Sequence, residues 1–231
     1  MIYAVTPCGR PDNLVQIMQT IPKSWKWIIC YDDRVEIPKE VKEKAILLKC
    51  EYTGPAGVHA RNYILDNYDF QDDDWILQLD DDNIIHPDIE AEFQDIEKFS
   101  EYAVIAFCQG FWNGDLRMQP SVPPQIGRFD VGSYIVQWKY VKEIRYPNIY
   151  CHDQVYLISC VWCGLLCGSS GAGRPELHTP PPLGVINKIL CYYNYIDKED
   201  WSHPKYREYR ENSKKEQLER EKEAKKRGMM K

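Results

Sequence analysis

Short runs of β-branched and aromatic residues alternate with helical segments through the first 110 residues. Between the runs, residues 12–21, 57–68 and 86–99 have the apolar spacing of helices. The runs have the length and composition of buried strands, and they are IYAV (2–5), WKWIICY (25–31), AILLKC (45–50), WILQL (75–79) and YAVIAFC (102–108). This alternation predicts an α/β fold with a mostly parallel central sheet flanked by helices. In such sheets, ligands bind beyond the carboxyl ends of the strands.

Composition limits the class of protein and its partners. The 231 residues are 44% hydrophobic, which is enough to form a sizeable core in one domain of ordinary size. The formal net charge is -6, and outside the last twenty residues there is no basic stripe, so we expect no nucleic-acid partner. No apolar run approaches the roughly 18 residues that a membrane span needs. The N-terminal MIYAVTPCGRP resembles a first strand and not a secretory leader, which predicts a cytoplasmic protein.

The pattern is less regular after residue 110. Residues 129–144 mix strand and helix features, residues 152–163 predict a helix, and the Gly-, Ser- and Pro-rich residues 168–184 predict a loop. From Trp201 onwards the chain is almost entirely charged and lacks an apolar stripe. This tail is typical of a solvated helix or of a tether to a further domain or partner.

Nine cysteines are present, and three of them cluster in CVWCGLLC as Cys160, Cys163 and Cys167. Their spacing permits a zinc site, but no second pair follows at a suitable distance. We therefore expect reduced thiols.

Three consecutive aspartates, Asp80 to Asp82, follow the strand WILQL directly. In a strand, the first and third would point to one side and the second to the other. Buried carboxylates need a partner, and oxygen ligands suit Mg²⁺ or Mn²⁺. Because such ions take only one or two carboxylates and complete their shell with phosphates and water, the triplet predicts a metal with a phosphorylated ligand. The alternative is a polar strand exit in which Asn83 forms a turn.

Other polar groups are expected at the same edge of the sheet. The first strand ends in VTPCGRP and the second in CYDDR, while the helix opened by GPAGVHARN carries Arg61 and Asn62 in its first turns. Three strand ends and one helix start can therefore converge around one crevice.

In order and spacing, IYAVTPCGRP, GVHARNYIL and WILQLDDDN resemble the nucleotide-sugar glycosyltransferases of the GT-A fold. Inverting glucuronosyltransferases show similar stretches, and so do small single-domain enzymes of large algal viruses. The resemblance covers residues 1–110 well and residues 129–160 loosely. It implies one GT-A domain over residues 1–200, with a nucleotide-binding half (1–110) and an acceptor half (111–200). Residues 201–231 would then be a charged helical tail or linker.

The resemblance also implies roles for individual residues at the donor site. The residues expected to contact the nucleotide sugar are Thr6, Pro7, Arg10, Asp32, Asp33, Arg61, Asp80 and Asp81. Of these, Asp32 or Asp33 would lie near the base and Arg61 near the diphosphate or sugar. The metal ion, Mn²⁺ or Mg²⁺, would bind Asp82 directly, and Asp80 and Asp81 would serve the ribose and the outer part of the metal shell.

Transfer to a hydroxyl by inversion also needs a general base. Asp153 in YCHDQVYL occupies the place where this fold usually carries an acidic base, with His152 second and Asp130 third. The alternative for Asp153 is a helix N-cap.

Trp112 and Asn113 in CQGFWNGD are expected to bind the acceptor, since aromatic faces stack on sugar rings; the alternative for Trp112 is a place in the core. Enzymes of this fold often add a histidine ligand to the metal, for which His178 and His203 are candidates without a matching motif.

The function predicted from these residues is that of a metal-dependent glycosyltransferase, with hexosyl or pentosyl transfer. A sugar would pass from a nucleotide-diphosphate donor, with UDP favoured, to a carbohydrate hydroxyl of a glycan, and inversion is favoured over retention. One alternative is a sugar-phosphate nucleotidyltransferase, although TPCGRPDN has one glycine where such enzymes carry a glycine-rich loop. The other is a non-catalytic domain that binds a sugar nucleotide or a glycan.

Overall fold

A single mixed sheet organises the computed structural model, which describes residues 1–125, 127–149, 152–166 and 183–196. Within these residues its nine strands are β1 (Ile2–Pro7), β2 (Lys26–Tyr31), β3 (Ile46–Lys49), β4 (Trp75–Gln78), β5 (Ile84–Ile85), β6 (Val104–Gly110), β7 (Leu116–Met118), β8 (Tyr134–Gln137) and β9 (Leu183–Tyr192). They are ordered β3-β2-β1-β4-β8-β6-β9-β5, and β7 pairs with β6 outside this path. The described residues all lie in the compact unit Met1–Ile196.

Most of the described strands run in the same direction. The pairs β1–β2, β2–β3, β1–β4 and β6–β9 are parallel. Strand β8 is antiparallel to both β4 and β6, so β6 and β9 run in the direction of β1 to β4. The predicted α/β class with a mostly parallel sheet is confirmed. The C-terminal ends of β1 to β4, β6 and β9 therefore lie together, and we call this side of the sheet the carboxyl edge.

Helices cover both faces of the sheet, as predicted. They are α1 (Leu14–Met18), α2 (Lys39–Lys42), α3 (Val58–Asn67), α4 (Ile89–Glu92), α5 (Trp138–Val141) and α6 (His152–Leu166). Residues of α3, α5 and α6, such as Ile64, Val141 and Leu157, pack into one core. Residues of α1, α2 and α4, such as Ile17 and Ile89, pack into the other core. Burial of apolar surface on both sides is the main stabilising term of such a layered fold.

The continuous helix predicted over residues 86–99 is wrong. The segment contains the short helix α4 and a separate 3-10 turn at Ile96–Phe99. Phe93 and Phe99 contact each other with ring centroids 5.7 Å apart, and both pack into the same core. Six residues along an α-helix would place these side chains about 120° apart around its axis, so the break allows both to face the sheet.

Strand β9 was not predicted from the sequence. It pairs in parallel with the central strand β6, with register irregularities between Phe107 and Gln109. Its partly exposed residues lack the continuous apolar run of the other strands, and its first two residues, Leu183 and Gly184, belong to the segment that was predicted to be a loop. Residues 167–182 and 197–231 lie outside the described residues, and with them most of the predicted loop 168–184, His178, His203 and the predicted tail. Among the described helices, none combines the length and apolar character that crossing a membrane requires.

Candidate functional site

The aspartate triplet follows β4 at the carboxyl edge, but it does not continue the strand. β4 ends at Gln78, and the backbone N–H of Asn83 donates to the Asp80 carbonyl at 3.2 Å, which closes a turn. The strand alternation expected for the triplet therefore does not apply. Asp81 and Asp82 both pair with Arg10, whereas Asp80 pairs with Arg61.

Asp81 fastens the loop after β1 to this turn. Its Oδ2 accepts the backbone N–H groups of Gly9 at 2.6 Å and of Arg10 at 2.7 Å. Its Oδ1 accepts Arg10 Nε at 2.8 Å and Nη2 at 2.5 Å. Asn13 Nδ2 donates to the Asp81 carbonyl at 2.9 Å. The Asp81 carboxylate is thus held by several donors of the loop that follows β1.

Asp82 is paired with the other arm of the same guanidinium. Arg10 Nη1 lies 2.8 Å from Asp82 Oδ2, and the side chains are 42% and 10% exposed, respectively. Arg10 therefore bridges two adjacent carboxylates from a partly solvated position.

Arg61 lies in the first turns of α3 and is completely buried. Its Nη2 donates to Asp80, and its Nη1 lies 3.4 Å from Gln78 Oε1. Its guanidinium carbon lies 5.7 Å from the centre of the Tyr146 ring. Within the described residues, Arg61 Nε and Gln78 Nε2 have no hydrogen-bond partner. Arg61 itself is therefore not accessible from the site, and it contacts the site through its partly exposed partner Asp80.

Counting only residues that the structure describes, three carboxylates and two guanidiniums are paired in this corner, so negative charge is in excess there. Burial raises the pKa of Asp82 to about 7, in opposition to Arg10, and the charges of Asp80 and Asp81 raise it further. Burial also raises the pKa of Asp80 against the opposing effect of Arg61, and the neighbouring Asp130 adds to the rise. Extra positive charge would stabilise the ionised form of these carboxylates.

The donor set fits a hard divalent cation. Asp80 and Asp82 both offer carboxylate oxygens in the turn after β4. Within the described part of the chain, no group of three or more His, Cys, Asp or Glu side chains is arranged to hold a metal ion. Magnesium-type ions need only one or two carboxylates when phosphates and water supply the other ligands, so Asp80 and Asp82 are chemically sufficient.

A second pair of carboxylates lies at the carboxyl edge. Asp130 lies in the loop before β8, where its carboxylate contacts Arg117 Nη1 at 2.6 Å and Val131 N at 2.9 Å. Burial raises the pKa of Asp130 to about 6, and the adjacent Asp153 carboxyl raises it further in spite of Arg117. Asp153 is buried in the first turn of α6, and its backbone carbonyl accepts Tyr134 Oη at 3.3 Å.

His152, the second base candidate, precedes Asp153 in α6. Burial and the charge of Arg61 lower its pKa, so its neutral form is favoured.

Two of the predicted nucleotide residues lie in the tightly packed end of β1. Thr6 is buried, and its hydroxyl accepts Trp27 Nε1 at 3.0 Å. Pro7 packs against Gly57, which has φ +72° and where a Cβ would lie 2.5 Å from Pro7 Cγ. A glycine is required at this position both by the positive φ and by the close approach.

The two aspartates that follow β2 have different surroundings. Asp32 is buried and accepts Arg34 Nη2 at 2.5 Å and Thr53 N at 3.1 Å. Hydrogen bonds from Arg34 hold the pKa of Asp32 well below its usual range. Asp33 is exposed and pairs with Lys49. In this structure Asp32 fastens the loops after β2 and β3, whereas Asp33 faces solvent.

Trp112 and Asn113 lie at the tip of the hairpin that joins β6 and β7. Asn113 Nδ2 donates to Asp115 Oδ2 at 2.7 Å, which fixes the turn. Trp112 is 53% exposed, so the alternative that it fills the core is wrong. Phe111, which precedes it, and Leu116, at the start of β7, are also exposed. The hairpin therefore presents an apolar surface to solvent.

Several residues around the site were given no binding or catalytic role from the sequence. Arg117 stacks on the Tyr193 ring with 3.6 Å from its guanidinium carbon to the ring centre, and it donates to Gln109. Asn83 Oδ1 accepts the backbone N–H of Asn194 at 3.0 Å, which joins the segment after β9 to the aspartate turn. Gln78 and Gln109 were detectable as single polar residues inside apolar strands, whereas Arg117 and Tyr193 had no distinctive pattern.

Comparison with solved structures relates this geometry to known proteins. Crystal structures of S. aureus TarS 1-349 in complex with UDP and with UDP-GlcNAc match with TM-scores of 0.60 and 0.61 and sequence identities of 15% and 14%. They cover 84% and 83% of this chain. TarS is a glycosyltransferase. This chain therefore shares the fold of the matched part of TarS.

The similarity concerns structure and only part of the larger protein. The chain spans 60% and 58% of the two TarS 1-349 chains, and 36% of the chain in another TarS crystal structure, which it matches with a TM-score of 0.59 at 14% identity. No protein-family model matches the sequence, and no curated protein matches it significantly.

Proposed function

We propose that this protein is a metal-dependent glycosyltransferase that moves a sugar from a nucleoside-diphosphate donor, preferably UDP-linked, to a carbohydrate hydroxyl with inversion. The observation that carries the proposal is the corner formed by Asp80, Asp81 and Asp82 with Arg10 and Arg61 at the carboxyl edge. A sheet of this kind binds ligands at that edge. The fold shared with TarS, whose structures include UDP and UDP-GlcNAc complexes, supports a nucleotide-sugar donor.

In this proposal, Asp80 and Asp82 hold Mn²⁺ or Mg²⁺. The ion supplies Lewis-acid stabilisation of the charge that develops on the leaving diphosphate. Arg10 has a partly exposed guanidinium beside the carboxylates and is suited to hydrogen-bond a phosphate in a bidentate manner. Arg61 keeps Asp80 in position from the buried side.

Asp153 is proposed as the general base that accepts the proton of the acceptor hydroxyl. It is buried in the first turn of a 15-residue helix, and its carboxyl group lies next to that of Asp130. Asp130 touches Asp153 and is held by Arg117, so it is the first alternative to be tested, and His152 is the second.

The acceptor is proposed to bind at the hairpin between β6 and β7. The exposed aromatic surface of Phe111 and Trp112 resembles the platforms on which sugar rings stack. Asn113 adds an amide at the same turn. Together these residues favour a carbohydrate over a small charged acceptor, and they belong to the proposed acceptor half of the domain.

Donor binding is tested by thermal unfolding with UDP-, GDP- and TDP-sugars, each with and without Mn²⁺. We expect the largest rise in Tm with a UDP-sugar and Mn²⁺ together, and loss of that rise in Asp82→Ala. Asp73→Ala is the matched control, because Asp73 lies in the run of three aspartates (72–74) that precedes β4 and is exposed. If UDP binding is changed neither by Mn²⁺ nor by Asp82→Ala, the proposed role of Asp82 as a metal ligand is contradicted.

Product analysis separates the transferase from its alternatives. A transferase with Mn²⁺ and donor should release UDP slowly even without an acceptor, through transfer to water. A nucleotidyltransferase would instead release pyrophosphate when given a sugar phosphate and a nucleoside triphosphate. A non-catalytic binding domain would bind the donor and leave it intact.

A further inference from the structure

Asp82 already has a cationic partner supplied by the chain itself. Arg10 Nη1 lies at hydrogen-bonding distance from Asp82 Oδ2, 2.8 Å away. A divalent cation that binds Asp82 must compete with this guanidinium for the carboxylate. The affinity for a metal therefore depends on where Arg10 can move.

Arg10 can lose its contact with Asp82 and still be held in the site by Asp81. Its Nε, its Nη2 and its backbone N–H all bind Asp81, at 2.8, 2.5 and 2.7 Å, respectively. The contacts of Nε and of the backbone with Asp81 can stay in place when Nη1 turns away from Asp82. The side chain is 42% exposed, so a small rotation disrupts no core packing.

The second guanidinium of the corner has the opposite character. The Arg61 side chain is 1% exposed, and its Nη1 and Nη2 face Gln78 and Asp80. Moving Arg61 would leave a buried charge without its partner, which is strongly unfavourable. Arg10 is therefore the exchangeable cation of the corner, and Arg61 is the fixed one.

We propose, building on the donor and metal site of the proposed function, that Arg10 is an internal counter-ion of Asp82 that transfers to a donor phosphate when the nucleotide binds. A planar guanidinium pairs with phosphate oxygens as well as it does with carboxylates. When the nucleotide binds, Arg10 leaves Asp82, and the carboxylate becomes accessible to the metal. When the metal binds Asp82, Arg10 in turn becomes able to pair with the nucleotide. The two ligands bind cooperatively, and the coupling is reciprocal.

The experiment measures Mn²⁺ affinity from the paramagnetic resonance signal of free Mn²⁺, with and without UDP. The proteins are the wild type, Arg10→Gln and the control Arg145→Gln, whose Arg145–Asp66 ion pair of 2.7 Å does not involve the aspartate corner. The ratio of the two Mn²⁺ affinities is the coupling factor. Because the readout is binding, it requires neither an acceptor nor turnover.

For the wild type we expect UDP to tighten Mn²⁺ binding by a factor on the order of 10 to 100. In Arg10→Gln, Mn²⁺ alone should bind about tenfold more tightly than to the wild type, and the coupling factor should fall at least about fivefold. Arg145→Gln should match the wild type in both respects. If Arg10→Gln does not fold, Arg10→Lys serves instead, because one ammonium group cannot bridge both carboxylates as the guanidinium does.

Two results would overturn the role of Arg10. Unchanged or weaker Mn²⁺ binding to Arg10→Gln without UDP would show that Arg10 does not compete for Asp82. If Arg10→Gln binds Mn²⁺ more tightly than the wild type by the same factor with and without UDP, the effect is one of general charge, and Arg10 does not move from Asp82 to the nucleotide. In either case, UDP-coupled Mn²⁺ binding by the wild type would leave the proposed function standing. If the wild type binds neither UDP nor Mn²⁺, both proposals fail together.

Discussion

Arg61 and Asp80 form an ion pair between a guanidinium that is 1% exposed and a carboxylate that is 30% exposed. The pair connects the first turns of α3 to the turn after β4, so the helix position determines where Asp80 is presented. The same arginine lies against Tyr146, whose ring stacks on Tyr156 of α6 with 3.9 Å between the ring centres. Arg61 therefore links the aspartate corner to the helix that carries Asp153.

Replacing Arg61 with Met should destabilise the fold and weaken the site. Asp80 would lose its buried partner, although its own exposure allows water to replace part of the interaction. We expect the free energy of unfolding to fall by about 2 kcal/mol at pH 7.5, measured by urea denaturation. Arg145→Met is the control, because the Arg145–Asp66 pair is more exposed and should contribute less than about 1 kcal/mol. Equal losses in the two variants would contradict a special role for Arg61.

Stability without metal should fall as the pH rises towards 8, and Asp82 should be a main cause. Its pKa is about 7 in the folded chain and near 3.8 in the unfolded chain, so the folded state holds this proton more tightly. The associated stability is fully present below about pH 4 and is lost as the pH rises through 7. Between pH 5 and 8.5, we expect the free energy of unfolding of the wild type to fall by about 1 to 3 kcal/mol more than that of Asp82→Asn.

Urea denaturation at several pH values measures this difference. Asp73→Asn should retain the pH profile of the wild type, because Asp73 is exposed. Mn²⁺ with UDP should remove most of the difference, since a bound cation favours ionised Asp82. A wild-type profile that is flat between pH 6 and 8.5 would contradict the prediction.

Asp153→Asn should abolish transfer while it preserves donor binding. An amide cannot accept the proton of the acceptor hydroxyl, and the loss in kcat should be about 10²- to 10⁴-fold. UDP affinity with Mn²⁺, measured by calorimetry, should stay within about twofold, because a base makes no uniform contribution to donor binding. Asp130→Asn is the comparison: a larger loss there than in Asp153→Asn would make Asp130 the base.

Trp112→Ala should weaken acceptor binding without affecting the donor. Loss of a stacked ring should raise the acceptor KM by about tenfold, corresponding to about 1.4 kcal/mol. The rate of UDP release in the absence of acceptor should not change. Val122→Ala removes a similarly exposed apolar side chain outside this hairpin and serves as the control. A Trp112→Ala enzyme with a normal acceptor KM would place the acceptor elsewhere.

Local sequence patterns were sufficient for the first half of the fold. The apolar runs of β1 to β4 and β6 and the spacing of α3 are short-range properties, and each element forms where its pattern indicates. The aspartates were recognisable because charged groups directly follow the buried run WILQL, and the arginine in ARN because it lies in the first turns of a predicted helix. Strand β9 was missed because its stability comes from pairing with β6, which lies more than 70 residues earlier.

By itself, the sequence determined that polar residues of several elements would gather at the carboxyl edge, because parallel strands bring their C-terminal ends to one side. Only the tertiary structure decided how the charges are paired. In that structure Asp81 and Asp82 pair with Arg10. Asp80 pairs with the buried Arg61, and Asp130 pairs with Arg117. Ion pairing depends on distances of a few ångströms and on burial, and neither can be read from the spacing of residues that lie about 10 to 70 positions apart.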